Sequence, residues 1–455
     1  MEVTRTLARY VVNSQASEIP EEARREGVRS IVNWLGCAVG ASRHEAVESA
    51  LAALKPFAGP AQASVLGRSD KTDILTAALL NGITSHVFDF DDTHLPTIIH
   101  PSGPVASALF ALAEYRPVSG AELLHAFVLG VEAECRIGKA VYPDHYDAGW
   151  HITGTAGVFG AAAAAGKILK LTEQQMVWAL GIAGTQAAGL REMFGTHCKS
   201  FHPGRAAQNG LVSAILAQED FTSSDQVLEA KRGFANVLSK KQDYAQITEG
   251  LGKSFEVTLN SYKPFACGIV IHPAIDACIQ LKRENGLSGE EVERVDLTVA
   301  PLVLELTGKR TPQVGLEGKF SVFHSTAAAL IYGAAGEKQY SDACVRDPKV
   351  VRLRDRIEAK VDPQLRDDQV LVRLVLSDGR ILEKHIAHAI GSRERPMSNA
   401  DLDAKFHGLA DDILGAEQAS RLLALAWSIE ELRDAAEICR AAAPQPGAER
   451  RPRRA

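Results

Sequence analysis

The chain has 455 residues, 46% apolar and 23% charged, with a formal net charge of -6. That length and balance predict one large or two medium globular domains with a substantial core. A net-negative chain with no long basic stripe in its folded part excludes nucleic acid as an expected partner, and no apolar run reaches the ~18 residues of a membrane span.

From the amino terminus to about residue 267 the pattern is helical. Apolar residues recur every three or four positions in EEARREGVRSIVNWLGCAVGA, AELLHAFVLGVEAECRIGKAVY and TEQQMVWALGIAGTQAAGL. Asp70 or Thr72, then Ser119 and Thr172, are the expected helix caps. Glycine and alanine are dense, above all from Gly157 to Ala165, so the helices are expected to approach closely. The amino-terminal MEVTRTLARYVVNSQ lacks an apolar run with a cleavage site, and the seven cysteines show no CxxC spacing. Reduced thiols and a cytoplasmic location are the expectation, with Cys198 and Cys267 serving as packing residues.

After Gly268 the character changes. VERVDLTVA alternates, two β-rich arms flank Asp378-Gly379 as in a hairpin, and Arg356–Asp362 adds a further candidate strand. Helices are expected at about 271–284 and 320–334. The fold class is therefore mainly α: an all-helical domain from residues 1–267 and 396–442, with a smaller α+β domain over 268–395. Helices resume from Asn399 to Ala442 and are expected to pack back on the first domain. Residues 443–455, Pro-rich and basic, are expected to be disordered.

Three segments place histidine or lysine just ahead of a small-residue helix. They are His100-Pro101-Ser102-Gly103-Pro104, Trp150-His151-Ile152-Thr153 and Lys199-Ser200-Phe201-His202-Pro203. A helix start presents unpaired N–H groups and the positive end of the macrodipole, so it attracts anions. Three starts with imidazole or ammonium groups predict a pocket for a substrate bearing several carboxylates. Arg205, farther along the third helix, is positioned in sequence to grip a carboxylate in bidentate fashion. Lys263, in SYKPFACG, falls at the domain junction, where clefts commonly form.

The densest titratable cluster is Asp89-Phe90-Asp91-Asp92-Thr93-His94, followed by His100. One carboxylate orienting an imidazole, with the Thr93 hydroxyl on a substrate carboxylate, is one reading. A metal-dependent hydrolase built on Asp91, Asp92 and His94 is the rival from another class. No GxxxxGK[ST] occurs, no GxGxxG follows a strand, and Ser102 lacks a GxSxG elbow. Nucleotide binding and α/β-type serine hydrolysis are thereby excluded as expectations.

At these same segments the chain resembles the MmgE/PrpD family, which includes 2-methylcitrate dehydratase, cis-aconitate decarboxylase and iminodisuccinate epimerase. The stretches are HVFDFDDTHLPTIIHPSGPVASALFALAE, WHITGTAGVFGAAAAAGKIL, THCKSFHPGRAAQNG, SYKPFACG and KFSVFHSTAAAL, in the family's order. The resemblance implies a helical domain formed by both chain ends, an α+β lid and a homodimer. It further implies lyase chemistry without metal or cofactor on a small di- or tricarboxylate. It puts the active-site acid on Asp89, the hydroxyl on Thr93, the histidines on His100 and His151, and the lysines on Lys199 and Lys263. Two departures stand out. His324 occupies a position where the family's decarboxylases have tyrosine, which makes it a substrate-contact candidate, and the loop from Thr93 to His100 is one residue longer.

Dehydration, decarboxylation and epimerisation of such acids share a carbanion beside a carboxylate. The expected division of labour gives Lys199, Lys263 and the helix starts to charge stabilisation, and His100 and His151 to proton transfer. Asp89 would orient or charge His100. A dehydratase or decarboxylase is the leading expectation, an iminodisuccinate-type epimerase the alternative.

Overall fold

The computed structural model describes residues 2–444, of which 58% are helical, in 21 helices with small sheets only. A mainly α fold is what the periodicity predicts. At its centre stands the helix Ile152–Ile168, buried at every position from Ile152 to Gly166. A helix apolar on all sides belongs inside a bundle, and the helices Ser102–Tyr115, Gly120–Val141, Glu173–Gly184 and His197–Gln218 surround it. Small residues set the spacing. A Cβ on Gly82 would lie 2.4 Å from the Cα of Gly204, so any side chain there would force the Ile74–Val87 and His197–Gln218 helices apart. That contact holds the end of one helix beside the start of the other, where the candidate site lies.

Ser119 and Thr172 cap their helices as expected, each in a capping box with Glu122 or Gln175. The helix Ile74–Val87 is capped by Asp73, not by Asp70 or Thr72, because only the Asp73 carboxylate reaches the Leu75 and Thr76 N–H groups. The third small-residue helix also starts earlier than expected, at His197 with Thr196 as cap. Lys199 is therefore inside the first turn, and Pro203, expected to mark the start, sits within the helix.

The segment 268–395 carries a four-stranded sheet in the order Ile357–Val361, Val292–Val299, Val370–Leu376, Ile381–Ile386. The first pair is parallel and the other two are antiparallel. Register pairs Val295 with Leu374 and Leu297 with Val372, placing these buried residues on one face under the helices His272–Asn285 and Val322–Tyr332. Asp378-Gly379 is the hairpin turn; Gly379 has φ +86° and donates to the Leu376 carbonyl. The carboxy-terminal helices Asn399–Leu414 and Ala416–Trp427 return to the helix Glu21–Gly40, with Phe406 against Gly36.

The expected disordered tail begins at the last two described residues; its remainder, 445–455, lies outside them. All seven cysteines are unpaired, and Cys198 is exposed at the helix start instead of packed. Among the described residues no helix is long and apolar enough to cross a membrane.

Candidate active site

The helix Ile74–Val87 ends in a left-handed turn at Asp89, where φ is 51°. Aspartate tolerates that conformation better than most residues, and two lysines pin it. The Lys263 ammonium donates to the Asp89 backbone carbonyl and to its Oδ1, both at 3.0 Å. Lys199 donates to the same Oδ1 at 2.7 Å. All three side chains are buried. Burial opposes ionisation of Asp89, but the two ammoniums overcome it and hold the carboxyl well below the usual range. Burial likewise lowers Lys199, with Asp89 acting against it.

Behind this trio lie four imidazoles. His100 places Nδ1 2.9 Å from the Asp92 carbonyl and 3.4 Å from the Thr93 hydroxyl. A carbonyl only accepts, so Nδ1 carries the hydrogen and Nε2 of the neutral ring carries the lone pair. The His100 N–H donates to Thr153 Oγ1 at 3.1 Å, tying the loop to the first turn of the Ile152–Ile168 helix. His151 meets His202 through their Nδ1 atoms at 2.8 Å, one donating and one accepting. His86, in the last turn of its helix, donates from Nδ1 to Asp91 Oδ2 at 2.7 Å. Its ring stands edge-on to His100 at 4.7 Å and stacks with His151 at 5.8 Å. Burial lowers all four, His86 to about 3 and His202 to about 4, so each is neutral at pH 7.

The α+β part closes the site. The Phe320 ring stacks on Phe194 at 5.7 Å, and the Lys199 ammonium lies 5.4 Å from each ring centre. Lys319 donates to the Phe88 carbonyl at 2.7 Å, to the Ala266 carbonyl at 2.8 Å and to Glu337 at 2.5 Å. It thus fastens the α+β part to the residue just before Asp89. Lys405, from the carboxy-terminal helices, donates to the Phe90 carbonyl at 2.6 Å and the Lys263 carbonyl at 2.9 Å, and burial pulls it down to about 8. Beside Asp89, Lys199 and His86 is a chamber of ≈ 10 Å³, room for about one water. Gly195, Thr196, Leu316 and Lys319 line both this chamber and a cleft of ≈ 1860 Å³ between the two parts of the chain.

Two family models match this chain: the MmgE/PrpD N-terminal domain over residues 5–247 and the MmgE/PrpD C-terminal domain over 265–431. The chain belongs to the MmgE/PrpD family. It is similar to cis-aconitate decarboxylase of Aspergillus terreus (strain NIH 2624 / FGSC A1156), 26% identical over 95% of this chain and 94% of that protein. The Homo sapiens cis-aconitate decarboxylase is also 26% identical, over 95% and 92%. A 2-methylcitrate dehydratase of Cupriavidus necator is 24% identical over 80% of this chain and 81% of its own. Asp89, His100, His151 and Lys199 fall in the first MmgE/PrpD match and His324 in the second, while Lys263 lies between them.

Asp89, Thr93, His100, His151, Lys199 and Lys263 are thus brought together; two other candidates of this MmgE/PrpD chain are not. Arg205 is exposed and donates to Gln208. Six positions after Lys199, at ~100° per residue, it points away from Asp89. His324 is buried in the α+β part, where Nε2 donates to the Gln339 carbonyl at 2.8 Å, and burial lowers it to about 4. It fastens a loop there and does not bond to the lysine–aspartate trio.

The metal set Asp91, Asp92 and His94 is likewise dispersed. His94 lies between Thr97 at 2.7 Å and Glu256 at 3.0 Å, away from the cluster. Atoms of His86, Asp91 and His100 do lie within 4.8 Å of one another. As hydrogen bonds the trio is accounted for by His86 donating to Asp91 and His100 to the Asp92 carbonyl.

Asp92 accepts from Ser102 at 2.7 Å and from Asn260 at 2.9 Å, and burial with Asp91 nearby pushes it up to about 7. Between about pH 4, where an unfolded aspartate titrates, and pH 7, the folded chain holds a proton the unfolded chain has lost. This group's contribution is full below that window and declines as pH rises through 7. Asp92→Asn is expected to match wild type at about pH 4 and to lack the decline that wild type shows between about pH 4 and 7. Denaturant unfolding at each pH measures it; parallel stability curves would contradict the assignment.

Proposed function

We propose that this chain is a lyase acting on a small di- or tricarboxylate, a dehydratase or decarboxylase that works through a carboxylate-stabilised carbanion and its own side chains. The observation that carries this reading is the convergence of Lys199 and Lys263 on one buried carboxylate, with neutral imidazoles packed behind. A guest carboxylate competing with Asp89 meets two preformed ammoniums, and charge developing on an adjacent carbon meets the same pair. Thr93 offers its hydroxyl to a second carboxylate. His100, with Nδ1–H fixed by the Asp92 carbonyl, presents Nε2 as a proton acceptor, and His151 supplies a second imidazole. The relatives named for cis-aconitate and 2-methylcitrate support this substrate class.

Segment 268–395 acts as a lid in this proposal. A chamber of ≈ 10 Å³ does not admit a tricarboxylate, so Phe320 and Lys319 must withdraw toward the adjoining cleft and return over the substrate. Return excludes water and strengthens each charge interaction inside.

Purified protein incubated with cis-aconitate, citrate, 2-methylcitrate and iminodisuccinate, with products read by NMR, tests the activity. Loss of water or carbon dioxide from one of the first three is expected; racemisation of iminodisuccinate alone would replace the reading with an epimerase. On whichever acid is consumed, His100→Ala is expected to lower turnover about 100-fold with an unchanged circular dichroism spectrum. Turnover within a few-fold of wild type would remove His100 from proton transfer.

A further inference from the structure

Four imidazoles share the site, and their Nδ1 partners differ. His100 has the Asp92 carbonyl at 2.9 Å, with Asp91 Oδ1 more distant at 3.4 Å. His151 and His202 have each other. His86 alone among the four has a carboxylate within 3 Å, at 2.7 Å, and both members of that pair are fully buried. The other nitrogen, His86 Nε2, is buried with no hydrogen-bond partner. Buried polar atoms in a native fold are normally paired, so an unpaired one calls for an explanation. His86 also lines the chamber beside Asp89 and Lys199.

We infer that His86, held by Asp91, is a further general acid–base of this site, exchanging a proton with the substrate through Nε2. The inference rests on the lyase reading above. With Nδ1 committed to Asp91, Nε2 is the atom left to meet a guest. A carboxylate bonded to Nδ1–H fixes the tautomer and stabilises the imidazolium that forms when Nε2 takes a proton. In dehydration the substrate C–H bond breaks, its electron pair stays on carbon, and the proton goes to Nε2. The carbanion then expels hydroxide, which takes the proton back from the His86 imidazolium and leaves as water, returning the ring to its neutral form. In decarboxylation the C–C bond to the departing carbon dioxide breaks. For this reaction His86 first takes a proton from solvent at Nε2; the electron pair of the broken bond stays on carbon, that carbon takes the Nε2 proton, and the ring returns to its neutral form. His86 contacts the rings of both His100 and His151, so a proton leaving it has an imidazole on either side.

Asparagine places its amide N–H near the position of Nδ1 and has nothing at Nε2, so His86→Asn separates the bond to Asp91 from the proton transfer. Protein labelled with 15N-histidine is titrated with tricarballylate, a saturated tricarboxylate with no group to eliminate. The Nε2 resonance missing from His86→Asn is expected to leave the lone-pair range as the acid binds. On a consumed substrate, His86→Asn is expected to lower kcat about 100-fold with KM within threefold and an unchanged thermal midpoint. If the asparagine variant is unstable, His86→Gln, whose amide reaches the Nε2 position but takes up no proton, is read in the same way. If the His100 resonance responds to tricarballylate while His86 stays fixed, or kcat falls less than fivefold, this inference is overturned and the lyase reading stands. If no histidine responds and no acid is consumed, both fall.

Discussion

Asp89→Ala is expected to destabilise the protein by about 3–5 kcal/mol, the usual cost of stranding buried charge. The change removes the shared acceptor of Lys199 and Lys263 and leaves two ammoniums facing each other in a water-poor interior. Asp89→Asn, which keeps one acceptor oxygen, is expected to lose less. The loss also depends on pH in a definite direction. Because the lysines hold the folded carboxyl below its unfolded value, its stabilisation is complete above about pH 4 and fades as pH falls toward the folded value. The difference between wild type and Asp89→Ala in denaturant unfolding is therefore expected to be full at pH 7 and to narrow in strong acid. Equal midpoints at pH 7 would mean that the trio is not the electrostatic centre of the fold.

The parts of this site that sequence reveals are those announced locally. His100 and His151 stand at breaks before small-residue helices, and Lys199 shares its segment with proline and glycine, so each is marked by its neighbours. His86 carries no such mark. It sits in a helix buried on nearly every side, where periodicity offers no face from which a polar residue would stand out. Lys405 lies in DLDAKFHGLADDIL, a stretch that reads as an ordinary half-exposed helix until tertiary packing turns it onto Phe90. Phe320 and Lys319 reach the site only because the α+β part folds over the helical one, a contact between residues over a hundred positions apart. The metal set failed for a related reason. Thr93 and His94 are neighbours in a short strand, and successive strand residues face opposite ways. Thr93 turns to His100 and His94 to Glu256, so closeness in sequence became separation in space. The α+β segment was more legible, since Asp378-Gly379 and the alternation before it are set by turn geometry and one buried sheet face.

Lys199→Ala is expected to lower turnover by about two orders of magnitude, corresponding to about 3 kcal/mol of lost transition-state stabilisation. The ammonium sits in the first turn of the His197–Gln218 helix, where the macrodipole adds to its positive field. Its ring neighbours Phe194 and Phe320 keep water away, which raises the worth of each charge contact. Unlike Asp89→Ala, this change leaves a paired residue behind, because Asp89 retains Lys263 at 3.0 Å. Stability is thus expected to fall far less than activity, and the two variants separate structural from catalytic demand on the same trio. Lys199→Arg keeps the charge but brings a planar, wider head into the space between two phenylalanine rings and Asp89, so it is expected to restore little. Steady-state rates alongside unfolding curves measure both quantities. A Lys199→Ala protein with turnover within threefold of wild type would shift the stabilising role to Lys263 alone.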